Sequence, residues 1–205
     1  MPGSCSGLRK LHRSQARNPG VRGQSEIMMQ LQANPLEPLF QDAVRNSYEG
    51  RLGLDSEITA YVSRMLCDFS EADNLYRLRD VKGRPIENLQ EMVRASDPVY
   101  GTAKSFIQER TIRRYIGDYS LFLAGMCPEA VEPDSNASSG RPSLAELIRI
   151  GKESYYIVSQ FNVFEYEQEA RFFERLSSVF EHCILGLAIA RRELWRTINP
   201  PAPVQ

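Results

Sequence analysis

The side chains best placed to do chemistry are Arg110, Arg114 and Asp118, spaced four apart in the stretch Arg110 to Glu129. Residues four apart share one face of a helix. Here that face would carry two guanidiniums and a carboxylate. The residues around Asp118 are apolar or small, and a carboxylate in such surroundings must be paired or take up a proton. One reading is a polar pocket in which Arg110, Arg114 and Asp118 meet the polar end of a small molecule. Another is a buried aspartate that fixes helix register, in which case Asp118→Asn destabilises the fold. A third is a metal-free enzyme that pairs Asp118 with a tyrosine, which needs a strongly raised pKa and an open cleft.

Tyr155 and Tyr156 form the second candidate group, with Gly151 one turn earlier and Ser154 and Ser159 beside them. Their hydroxyls could line a cleft against the Arg110 to Glu129 helix. They also fit amphipathic core tyrosines whose hydroxyl finds a single partner.

Other chemistries lack material. The two histidines are His12 and His182, and no Glu-x-x-His occurs, so a di-iron bundle site is excluded. Cys5, Cys67, Cys127 and Cys183 are far apart with no CxxC, which suits free, buried thiols in a reducing compartment. Cys183 and His182 are adjacent, and neighbours on a helix point about 100° apart, a poor arrangement for a nucleophile and its base. No glycine-rich phosphate loop follows a strand. No metal site and no cofactor are expected, and the balance leans away from an enzyme.

These residues need a scaffold, and composition allows one. The 205 residues are 42% hydrophobic and 25% charged, enough for a core without metal or disulfide support. Net charge is −1, but residues 1–27 hold five basic residues against one acid, which leaves the remaining chain at −5. A mildly acidic body repels phosphate, so nucleic acid is not an expected partner. No apolar run reaches the length of a membrane span, and the N-terminus has no secretory h-region. A cytoplasmic setting is expected.

Apolar residues recur at helical spacing throughout, with no strand-period segment. The first helix should start near Pro38 and stop at Gly53. Asp55 should cap the next, with the stripe Ile58, Val62, Met65, Leu66 and Phe69. A short helix follows around Leu89 to Val93 and ends at Asp97-Pro98. The central helix carries an apolar stripe through Ile112, Ile116, Tyr119 and Met126, and a small-residue stripe through Gly117, Ser120, Ala124 and Gly125. Helix glycines cost about 1 kcal/mol each, and close packing is the simplest compensation. Ser143 to Glu146 reads as a capping box. The last helix should run unbroken from about Phe172 to Trp195. With its flanks it would have about 30 residues and span roughly 45 Å.

The expected fold is thus all-α: a single-domain bundle of about six helices with a long C-terminal helix. It would occupy residues 31–198, with a mobile loop at 132–142. Residues 1–30 read as a disordered basic extension. Met28 and Met29 make an upstream extension of the true start an equal alternative to a genuine tail. Residues 199–205 form a Pro-rich tail.

The segment Arg113-Arg-Tyr-Ile-Gly-Asp-Tyr-Ser-Leu-Phe-Leu-Ala-Gly-Met-Cys-Pro-Glu129 resembles an uncharacterised family of bacterial helical proteins. So do Asp73 to Arg79 and Gly151 to Tyr156, and the likeness extends over roughly residues 36–196. The resemblance implies a helical fold and a bacterial cytosolic setting, and brings no activity with it. Where that family often has histidine, this chain has Tyr115, which removes an imidazole from the site. The first functional expectation is a non-catalytic interaction protein that forms a homodimer or docks a protein partner. The alternative is a small-molecule-binding bundle whose cavity lies between the central helix and the Tyr155–Tyr156 helix, floored by Asp118.

Overall fold

The computed structural model describes residues 36–132, 141–163 and 166–198. The basic N-terminal segment with Cys5 and His12, most of the 132–142 loop and the 199–205 tail lie outside the described residues. The described residues form eight α-helices and no strand. The architecture is all-α, and no described helix is long and apolar enough to cross a membrane.

Helix α1 (Glu37–Ser47) has proline in its first turn and runs into a π-helical turn, Tyr48–Leu52. Gly53 ends it at φ +64, a backbone conformation that favours glycine. The Asp55 side chain caps α2 (Ser56–Phe69) by accepting from the Ile58 amide at 2.9 Å. A single turn, α3 (Ala72–Leu75), follows, then α4 (Leu89–Ser96), capped by Asn88. The central helix α5 (Phe106–Met126) is capped by Ser105 and ends at Cys127, where Pro128 opens a 3-10 turn. Helix α6 (Leu144–Ser159) starts at Ser143, whose hydroxyl accepts from the Glu146 amide at 3.1 Å. Only half of the expected capping box forms. The Glu146 carboxylate accepts from Gln90 on α4 and so ties two helices together.

The expected unbroken last helix is two helices, α7 (Glu167–Ser178) and α8 (Phe180–Ile198). This break and the one-turn α3 raise the helix count above six. Two serine hydroxyls flank the break. Ser178 Oγ donates to the Arg175 carbonyl at 2.7 Å, and Ser177 Oγ donates to the Lys152 carbonyl on α6 at 3.0 Å. Val179, between the two helices, takes a non-helical ψ of 18°.

Helix α5 is the hub. It packs closely on α6, α8 and α4, and α6 packs in turn on α7. The close approach of α5 to its neighbours depends on glycine. A Cβ on Gly125 would stand 2.4 Å from Leu187 of α8, and one on Gly151 of α6 would stand 2.2 Å from the Phe180 ring. Helix α2 packs its backbone on α1 and stands off from α5 and α7, which it reaches through long side chains. The gap left there holds the candidate site.

Cys183 is buried in the core, and its carbonyl accepts from the Tyr48 hydroxyl at 2.7 Å. Cys67 and Cys127 are free thiols but only half-buried, because both sit where helices end.

Candidate functional site

Asp118 lies at the middle of α5 and is 6% exposed. Its Oδ1 accepts two phenol hydrogen bonds, from Tyr61 of α2 at 2.6 Å and from Tyr155 of α6 at 2.8 Å. Among the described residues no donor reaches Oδ2, which is therefore the carboxylate oxygen still available to a ligand. Arg114 Nε donates to the Tyr61 hydroxyl at 3.2 Å, so a relay runs from Arg114 through Tyr61 to Asp118. The Arg114 guanidinium also lies over the rings of Tyr61 and Phe173, at 5.3 and 5.6 Å from their centroids.

Burial pushes the Asp118 carboxyl up to about 6, against the opposing pull of the Tyr61 bond, the Arg114 charge and the Tyr155 bond. Tyr61 and Tyr155 are pushed well above the ordinary phenol range, first by burial and then by the Asp118 charge. Both phenols are therefore donors at any physiological pH. For Arg114, burial works against the charge, but Tyr61 and Asp118 more than compensate and its pKa is raised.

A cavity of about 430 Å³ opens above this group, between α2, α5 and α7. Asp118 and Arg114 line it from α5, Tyr61, Met65 and Phe69 from α2, and Phe172 and Phe173 from α7. The aromatic walls brace one another. Tyr61 packs on Phe172 and Phe173 at centroid distances of 5.0 and 5.7 Å, and Phe173 packs on Tyr155 at 5.6 Å. Arg64 and Arg77 stand at the rim.

The cavity lies between α5, α2 and α7, not between α5 and α6 as expected. The α5–α6 interface is filled, because Gly117 has no side chain and the Tyr155 ring occupies that space. A Cβ on Gly117 would lie 2.4 Å from Tyr155 Cε1. Gly117 thus lets Tyr155 come close enough to reach Asp118. Gly117→Ala should accordingly cost stability despite its better helix propensity. Overpacking costs about 1–3 kcal/mol against about 1 kcal/mol gained from propensity. A lower urea midpoint is expected, whereas Gly50→Ala, helical and with nothing within 4 Å of its Cβ, should keep or raise the midpoint.

The structure brings Arg114, Asp118 and Tyr155 together. Arg110 and Tyr156 stand elsewhere. Arg110 is buried one turn earlier, ion-paired with Glu169 and stacked over the Tyr166 ring at 4.1 Å. Tyr156 is 54% exposed, since it lies about 100° around α6 from Tyr155. Sequence reasoning missed Tyr61 and the Phe172–Phe173 pair. Both look like ordinary core positions in apolar stripes. The available signal was a polar-tipped aromatic next to the α2 stripe, since a buried tyrosine hydroxyl needs a partner.

Known protein families, curated proteins and solved structures contain no match to this chain.

Proposed function

We propose that the protein binds a small molecule in the cavity between α2, α5 and α7. One observation carries this reading. The cavity joins aromatic walls to a polar floor on which the Asp118 Oδ2 and the outer nitrogens of Arg114 have no hydrogen-bond partner among the described residues. The volume, about 430 Å³, falls in the range of roughly 300–1,000 Å³ typical of small-molecule sites. Self-association or partner docking draws its support from the exposed Val99, Tyr100, Phe106 and Ile107 around the start of α5. That cluster offers apolar area but no convergent polar groups, so the cavity is the better-supported site.

The test uses N-phenyl-1-naphthylamine, an uncharged fluorescent probe. Saturable binding with one probe per chain is expected. Gln168 is exposed on α7 at the cavity mouth, so Gln168→Trp can block entry with little effect on folding. It should weaken probe binding about tenfold or more. Binding that ignores Gln168→Trp but is lost in Phe106→Ser would place the probe on the exposed cluster and defeat the reading.

A further inference from the structure

Charges around the cavity are paired unequally. Four carboxylates line it: Glu57, Asp68, Asp118 and Glu169. Glu57 is ion-paired with Arg175, and Glu169 with Arg110, both outside the cavity lining. Asp118 is engaged by two phenols through Oδ1. The three lining guanidiniums, Arg64, Arg77 and Arg114, have no carboxylate within 4.0 Å among the described residues. Two lining carboxylates without an ion pair offset these three cations: Asp118, whose charge Arg114 and Arg77 feel, and Asp68, exposed on α2 one turn beyond Arg64, so one positive charge is left over.

Two of these guanidiniums are held by aromatic rings. Arg77 lies over the Tyr115 ring at 4.6 Å, and Arg114 over Tyr61 and Phe173. A stacked guanidinium is oriented by its face and keeps its in-plane donors free for a planar oxyanion. Beside them stand Met65, Phe69, Phe172 and Phe173, which offer an apolar bed.

Resting on the small-molecule reading above, we infer that the ligand class is an organic carboxylate with an aromatic or apolar body. Its carboxylate sits against Arg114 and Arg77, and its body lies on Phe172, Phe173 and Met65. Arg64 adds positive potential at the rim. The Tyr61 relay keeps Arg114 in place whether or not a ligand is bound.

Three probes of one shape separate head-group chemistry from simple occupancy: 2-naphthoate, 2-naphthalenemethanol and 2-naphthylmethylammonium. Each is titrated against the full chain by displacement of N-phenyl-1-naphthylamine. Naphthoate should bind about tenfold or more tighter than the alcohol, in line with charge-assisted hydrogen bonds, and the ammonium should bind most weakly. Arg77→Gln, at an exposed position that leaves the fold intact, should reduce naphthoate affinity severalfold and leave the alcohol unchanged. Arg114→Gln should do the same more strongly. Arg77→Gln keeps the test valid if Arg114→Gln folds poorly. Alcohol binding as tight as naphthoate, or ammonium binding tightest, would overturn the carboxylate assignment while leaving the cavity reading intact. Failure of every probe, including N-phenyl-1-naphthylamine, would end both.

Discussion

Phe173→Ala should be the most damaging of the changes considered, lowering stability by about 3–5 kcal/mol. Phe173 is 1% exposed and touches three other aromatic rings, those of Tyr61, Tyr155 and Phe172. Removing its ring takes away buried apolar surface and also the brace that keeps both phenols aimed at Asp118. The void would merge with the existing cavity, so water can enter and the cost should fall toward the lower end of that range. For a chain of this size, about 2–4 °C of melting temperature accompanies each kcal/mol, so a drop of roughly 6–20 °C is expected. Phe173→Leu, which keeps most of the volume, should cost much less. A loss below about 1 kcal/mol for the alanine variant would mean that the ring cluster is not a packed unit.

Asp118→Asn should act in the opposite direction and stabilise the protein at neutral pH. The carboxyl titrates at about 6 in the fold against 3.8 for an ordinary aspartate, with burial the dominant cause. The folded state therefore holds the proton more tightly than the unfolded state. Above pH 6 the ionised group costs the fold about two pKa units, or about 3 kcal/mol at 1.36 kcal/mol per unit. As pH falls from 6 to about 4 the carboxyl takes up its proton and that cost disappears. Wild-type stability should thus rise between pH 7.5 and pH 5 by about 1–2 kcal/mol from this group. Asparagine keeps an oxygen for both phenols and carries no charge. Asp118→Asn should be more stable than wild type at pH 7.5, by up to about 3 kcal/mol, and should lack the rise toward pH 5. The reading in which Asp118 fixes helix register makes the opposite prediction, that the substitution destabilises the fold. Urea unfolding of both proteins at the two pH values decides it. Equal pH dependence in the two proteins would show that the aspartate is not the group responsible.

Local signals were read well from the sequence. Asp55 and Ser143 cap helices where the residue types demanded it, and Gly53 ends the π turn at a positive φ. Asp118 at the centre of α5, with Arg114 one turn before it, follows from helical spacing, while its pairing with the phenols of Tyr61 and Tyr155 is non-local. What failed was non-local. The small residues at Gly117 and Gly151 predict close packing but not which partner fills the space, and Tyr155 and Phe180 fill it. The cavity lies instead against α2 and α7, whose stand-off depends on the combined size of Tyr61, Phe172 and Phe173. The Val179 break was hidden because Ser177 and Ser178 suit a helix surface as well as they suit a bend. Tyr156 faces solvent because adjacent helical residues cannot both face one cleft.

The two phenols that hold Asp118 also impose an order on the site's birth. Tyr61 is 57 residues before the aspartate and Tyr155 is 37 after it. As the chain leaves the ribosome, α2 emerges first, α5 follows, and the second phenol comes after both. The cavity has no far wall until Phe172 and Phe173 follow. During that interval the aspartate is open to water on the side that Tyr155 will close, and behaves as an ordinary surface acid. Its unusual affinity for a proton is thus acquired late in synthesis, when α6 and α7 fold over it, and a nascent chain halted before α7 would carry the residues of the floor without the site.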